Sequence, residues 1–364
     1  MRGELIAGLG PELAPEPDEE VVDAGGRILM PGFVDAHTHA LFAGSRLDEF
    51  ELSLRGKSYL EILAAGGGIH STVRAVSMTS ETDLALGLSR RLRVMLTHGT
   101  TSVEVKSGYG LSTEGELKML RAIRIAAQSF PGDVVPTALL GHTIDAREPQ
   151  FVQRVIDETL PAVHAEFPGI AVDAYCERGA WSPIECWRLL ERASELGHPV
   201  RLHTDQFSVL GGLDVALDLG AQSVDHLEAT PLEALQRLAQ TPCVGVMLPA
   251  SGFHTDGRYG NARALLDAGG KLVLASNYNP GSSPCPALPF VIAIAVRKMG
   301  LSALEAIQAC TATAADLLAL PGRGRIVLGA RANLLLLRHE DERELGFELG
   351  GNPVERVFVA GQEV

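Results

Sequence analysis

Residues 30–39 read Met30-Pro31-Gly32-Phe33-Val34-Asp35-Ala36-His37-Thr38-His39. Phe33 and Val34 lead as an apolar pair into Asp35, and two histidines follow two positions apart. In extended backbone, residues i and i+2 project to the same side. Both imidazoles therefore leave one face of the chain, spaced to share an ion. Imidazole nitrogen suits zinc and iron alike, so the pair signals a metal before it signals which one. The plainer alternative is two polar residues closing a strand. The rest of the chain decides between them by whether other strands end the same way.

Short apolar or β-branched runs recur at 101–105, 134–140, 170–175, 199–202, 222–224, 244–248 and 272–275. Between most of them lie amphipathic stretches of helical length, at 113–127, 148–167, 183–196, 211–219, 232–239 and 261–268. Such alternation predicts a parallel sheet with crossover helices. With the opening strand there are about eight units in roughly 250 residues, the size of a (β/α)8 barrel. A doubly wound open sheet is the competitor, weakened because no Gly-x-Gly-x-x-Gly follows an early strand. The expected fold is thus α/β, a TIM-like barrel over 31–321. Residues 1–30 hold Pro11, Pro15, Pro17 and Gly25-Gly26, and 322–364 hold apolar runs at 334–337 and 354–359. These two ends are expected to form a small β-rich accessory domain.

Composition narrows the class. The chain has 364 residues, 46% hydrophobic and 21% charged, as in an ordinary soluble globular protein. A formal charge of −14 argues against nucleic acid, whose binding needs clustered Lys and Arg. It leaves room for a small anion held by a few local arginines. Five cysteines without close paired spacing fit a reducing cytoplasm better than a disulfide framework. The N-terminus lacks a convincing signal-peptide pattern, and no apolar run approaches the roughly 20 residues of a membrane span. A cytoplasmic protein without membrane partners is expected.

Five of the eleven histidines close apolar runs: His37, His39, His142, His203 and His226. The other six, His70, His98, His164, His198, His254 and His339, read as scattered surface residues. The C-terminal strand ends of a barrel converge on one mouth, and five histidines in consecutive strand-end positions are hard to explain as packing. Several neutral imidazoles around a divalent ion make a Lewis acid that lowers the pKa of bound water. Such a site needs a base, and a carboxylate at the last strand end would serve. The last strand instead ends at Asn277, whose amide cannot accept a proton at ordinary pH. Arg46 and Tyr109 follow the first and second strands and could hold an anionic tail. Asn279-Pro280-Gly281-Ser282-Ser283-Pro284 is a turn by composition. Gly66-Gly67-Gly68 reads equally as linker and as a lid or close backbone approach.

Taken together, these residues resemble the imidazolonepropionases, metal-dependent amidohydrolases of histidine degradation. The resemblance rests on PGFVDAHTH, FAGSRLDEFELSLRGKSYLEIL with the following GGGI, VEVKSGYGLSTEGELKML, LLGHTIDA, LHTDQFSVLGG, VDHLEA and NYNPGSSP. It implies one divalent ion, zinc or iron, held by His37, His39 and His203, with a fourth ligand at position 277. It implies that Arg46, Tyr109, His142, Gln206, Asn279, Gly281 and Ser282 hold the anionic substrate 4-imidazolone-5-propanoate. His226 is implied to assist proton transfer or orient the water, and Gln206 to stand near the ring. A homodimer is implied as well. The family pattern has Asp where this chain has Asn277, as ligand and proton acceptor, and Gln206 is also neutral. The substitution keeps the size and removes the charge and the base. A weaker metal site and slower turnover are therefore expected. Two other readings stand beside the hydrolase: a silent metal- or ligand-binding relative, and another cyclic amidohydrolase or deaminase on the same fold. Asn333 also stands where relatives often have Asp, and is expected to concern packing or turn structure.

Overall fold

The computed structural model describes residues 1–57, 61 and 67–364. Gly66 of the glycine run, and most of the SYLEIL part of the motif, lie outside the described residues.

Eight parallel strands form one sheet in chain order: β2 (Phe33–Asp35), β3 (Thr100–Lys106), β4 (Asp133–Gly141), β5 (Ala171–Cys176), β6 (Val200–Thr204), β7 (Ser223–His226), β8 (Val244–Met247) and β9 (Leu272–Leu274). The sheet closes between its ends. Thr38 bridges Tyr278 in parallel, the Asn277 N–H donates to the His37 carbonyl at 3.1 Å, and the His39 N–H donates to the Tyr278 carbonyl at 3.0 Å. The seam that closes the barrel thus brings the His-x-His segment against Asn277.

The crossover helices follow the sequence pattern. Thr113–Ala127 buries Leu117, Leu120 and Ile123 against the barrel and is capped by Ser112, whose side chain accepts the Gly115 N–H. Pro183–Glu195 begins with a full capping box between Ser182 and Glu185. The helical run predicted over 148–167 contains a π turn at Val155–Thr159 between Phe151–Arg154 and Leu160–Glu166. It lies just before Pro161, whose missing N–H cannot complete the regular ladder.

A second, antiparallel sheet has the order β1 (Leu29–Pro31), β10 (Leu334–Leu337), β11 (Val354–Val359) and β12 (Gln362–Glu363). β10 is apolar throughout because both of its faces are buried. Leu335 and Leu337 join the main core, while Leu334 and Leu336 pack with Ile6, Ala332 and Phe358. Asn333 precedes β10 and is buried. Its Oδ1 accepts the Ala360 N–H at 2.9 Å, which ties the start of β10 to the β11–β12 turn. Among the described residues no helix is long and apolar enough to cross a membrane.

Candidate metal centre

The strand-end histidines meet, but they do not occupy consecutive strands. His37 and His39 follow barrel strand one (β2), His142 follows strand three (β4), and His203 and His226 lie on strands five and six (β6, β7). Lys106 and Tyr175 stand at the ends of strands two and four (β3, β5). His198, expected at the surface, is buried; its Nδ1 lies 2.8 Å from the Ile170 carbonyl and its Nε2 3.0 Å from His164 Nδ1.

His37, His39 and His203 are buried, and each offers a ring nitrogen within 4.8 Å of the others. His203 Nε2 lies 3.3 Å from His39 Nε2. The outer nitrogens are fixed from below: Asp225 Oδ2 lies 2.5 Å from His37 Nδ1, and Asp173 Oδ1 lies 3.1 Å from His203 Nδ1. A carboxylate on Nδ1 holds the proton there and leaves Nε2 as the lone pair facing the centre. Among the described residues His37 Nε2 and Asn277 Oδ1 are buried without a hydrogen-bond partner. Orphaned buried acceptors are costly, and here they belong to the cluster that converges at the barrel seam. The donor set fits a divalent ion that takes imidazole nitrogen and an amide oxygen. Asn277 adopts φ +52°, a left-handed geometry that asparagine tolerates.

Beneath the imidazoles lies a buried ionic floor with no counterpart in the sequence reading. Lys106 Nζ donates to Glu104 Oε1 (2.6 Å) and Asp173 Oδ2 (2.8 Å). Arg201 donates to Glu104 Oε1 (3.1 Å), Asp225 Oδ2 (3.0 Å), Ser223 Oγ (2.8 Å) and the Ala36 carbonyl (3.0 Å). Two cations thus face three carboxylates, an excess of negative charge under a site suited to a cation. Asp173, His203 and Asp225 also approach one another, but those carboxylates are already engaged by Lys106 and Arg201. The three-imidazole group is therefore the better ion site. The signal for this floor was charged residues at i, i+2 within apolar strands: Glu104 and Lys106, Arg201 and His203.

Electrostatics keep the imidazoles neutral. Burial, reinforced by Lys106 and the neighbouring histidines, lowers the pKa of His37 well below its ordinary value, and burial with His142 and His203 does the same for His39. Burial also lowers His203, and takes His142 down to about 3. For Asp173 burial pushes upward, but His203, Lys106 and Arg201 outweigh it and hold the carboxyl well below its usual range. Asp35 is the opposite case: burial lifts it to about 7.

The remaining predicted residues ring the mouth. Tyr109 is buried, its ring centroid 5.1 Å from His142 and 6.2 Å from His39. Its loop is held by Glu116, whose carboxylate accepts the N–H groups of Gly108 (2.9 Å), Gly110 (2.7 Å) and Leu111 (3.0 Å). Gly108 sits at φ +108°, and a Cβ there would lie 2.9 Å from His142 Nδ1. His142 stacks on His39 at 5.1 Å. His226 has φ +91°, and its Nδ1 lies 3.2 Å from Glu228 Oε1. Arg46 pairs with Glu49 at 2.5 Å and packs against Gly281, where a Cβ would come 3.0 Å from its guanidinium. The Asn279 side chain is spent inside its turn. It donates to the Asn277 carbonyl (2.7 Å) and Ser282 Oγ (2.9 Å), and accepts from Gly281 N (2.8 Å) and Ser282 N (2.7 Å). Gln206 sits beside Tyr175, whose hydroxyl donates to its Oε1 at 2.7 Å.

Comparison with known proteins gives the family and the fold. The amidohydrolase family pattern matches residues 20–59 and 52–364. The chain is 44% identical to imidazolonepropionase of Herpetosiphon aurantiacus, covering 100% of this chain and 88% of that protein. It is 45% identical to imidazolonepropionase of Rubrobacter xylanophilus, over 99% of this chain and 89% of that one. Among solved structures, 5-methylcytosine deaminase of Klebsiella pneumoniae superposes with a TM-score of 0.80 at 15% identity, covering 100% of this chain and 92% of the other. At that identity the likeness concerns the fold.

Proposed function

The chain belongs to the imidazolonepropionases of the amidohydrolase family, and on that premise we propose that it opens the ring of 4-imidazolone-5-propanoate to N-formimidoyl-L-glutamate. The observation that carries the reading is the buried convergence of His37, His39 and His203, with carboxylates fixing the tautomers of His37 and His203. These three residues, with the Asn277 amide oxygen, would hold one zinc or iron ion. When bound, such an ion acts as a Lewis acid and makes hydroxide available near neutral pH.

The chain's own residues supply the rest. Water oxygen adds to the ring carbonyl carbon, the bond from that carbon to the ring nitrogen breaks, and the nitrogen leaves with the proton. Asn277 cannot take the water's proton. His226 can: Glu228 holds its Nδ1–H, which leaves Nε2 as the lone pair beside the cluster, and the same nitrogen can return the proton to the departing ring nitrogen. Arg46, with the Ser282 hydroxyl, binds the propanoate carboxylate, and Gly281 leaves room for the Arg46 guanidinium. Tyr109 and His142 flank the ring, and Gln206 reaches its edge. A homodimer is part of the same reading, and light scattering should give twice the 38.7 kDa chain mass.

The test is turnover of 4-imidazolone-5-propanoate by this chain and by Asn277→Asp, with metal content measured on both. Slow, metal-dependent formation of N-formimidoyl-L-glutamate, accelerated in Asn277→Asp, supports the proposal. Binding without turnover in the native chain, with turnover restored in Asn277→Asp, identifies a silenced relative. Absence of both binding and turnover in both proteins overturns it.

A further inference from the structure

Tyr175 and Gln206 form a pair that the histidine cluster does not account for. β5 places Asp173 and Tyr175 on one face, two residues apart. Asp173 reaches His203 Nδ1, and Tyr175 stands one layer nearer the mouth. Its ring centroid lies 5.9 Å from His203, 6.4 Å from His226 and 6.5 Å from His142, so it stands among three site imidazoles. Gln206 comes three residues after His203 and is 8% exposed. A carboxamide has one accepting end and one end with two donors. The Tyr175 hydroxyl occupies the accepting end. Among the described residues no hydrogen bond engages the Gln206 Nε2 group, which is the end left for a ligand.

We propose that Tyr175 is a positioning residue that fixes Gln206 as an N–H donor toward the substrate ring. The pocket then selects a ring atom that offers a lone pair at that point, an unprotonated nitrogen or a carbonyl oxygen, and disfavours a ring N–H. The proposal deepens the imidazolone reading and rests on it for the ligand class. Without the tyrosine hydroxyl the amide loses its preference between two orientations related by a half-turn, one of which turns an acceptor to the ligand. Phenylalanine at 175 preserves the ring among the imidazoles and removes only this instruction.

A double-mutant cycle separates positioning from packing. Binding of imidazole-4-propanoate, at a pH where its ring is neutral, is measured calorimetrically for the metal-loaded native chain, Tyr175→Phe, Gln206→Ala and the double variant. Tyr175→Phe should weaken binding about 3- to 10-fold, the worth of one hydrogen bond, when Gln206 is present, and leave it unchanged in the Gln206→Ala background. Equal losses in both backgrounds would show that Tyr175 acts by packing and overturn the proposal. A second readout needs no ligand: the Gln206 side-chain amide resonance, identified by its absence from Gln206→Ala, should shift in Tyr175→Phe. An unchanged resonance would also overturn it. If the native chain fails to bind imidazole-4-propanoate, the ligand class is wrong, and the amide resonance decides the Tyr175–Gln206 pairing by itself.

Discussion

At the residue scale the decisive position is 277. Its amide can lend an oxygen to an ion but supplies neither charge nor a proton acceptor. Asn277→Asp should tighten zinc binding by at least about tenfold in chelator competition, since a charged ligand replaces a neutral dipole. Asp225 acts one step removed. It orients His37 and is itself held by Arg201. Asp225→Asn should lower metal affinity about 10- to 100-fold, the range for a lost partner behind a ligating histidine, with a far smaller change in the far-UV spectrum. Of this site the sequence shows the imidazoles, because a histidine closing an apolar run is conspicuous. Asp173, Asp225, Lys106 and Arg201 stay hidden for a physical reason. Each reads alone as a charge on a strand, and only barrel closure brings opposite signs from four strands into contact.

At the element scale the loop after β3 is the part most dependent on one side chain. Glu116 satisfies three loop N–H groups from inside a helix, and burial raises its pKa. Removing it strands those donors, so Glu116→Ala should destabilise the fold by about 2–4 kcal/mol in urea titration and loosen Tyr109, raising KM more than it lowers kcat. The limits of the strands and of the six helical stretches named from the sequence were legible to within a few residues, since period-2 and period-3.6 patterns report burial directly. The helices Ile69–Met78, Glu81–Thr97, Leu288–Lys298, Ala303–Ala309 and Ala312–Leu317 were not among them. The π turn before Pro161 was not legible, because a proline in a helical pattern signals a disturbance without specifying its form. The Asn279 turn was legible as a turn, but its internal bonding was not, because composition does not show which partner an amide finds.

At the scale of the whole molecule, the buried neutral histidines make stability depend on pH. His37, His39, His142 and His203 have folded pKa values below the ordinary 6.5. The unfolded chain therefore binds protons that the native chain refuses, and their contribution is present above 6.5 and lost as pH falls toward about 3, the His142 value. Asp35 runs the other way: its folded pKa of about 7 exceeds 3.8, so its contribution fades as pH rises between them. Four groups outweigh one. The Tm of metal-free protein should fall steadily from pH 6.5 downward, and an unchanged Tm over that window would show that the imidazoles are not held neutral. The fold class was readable because alternation over the whole middle of the chain leaves few architectures. That the barrel's own closing seam sets Asn277 beside His37 follows from the pairing of first and last strands, which no local pattern contains.

The measurement that bears most directly on the metal centre is anomalous diffraction from zinc-loaded crystals of the native chain. A single strong peak about 2.0–2.1 Å from nitrogens of His37, His39 and His203, with the Asn277 oxygen facing it, is the predicted result. A peak held by Asp173 and Asp225 in place of the imidazoles, or no peak at the seam in fully folded protein, would contradict it.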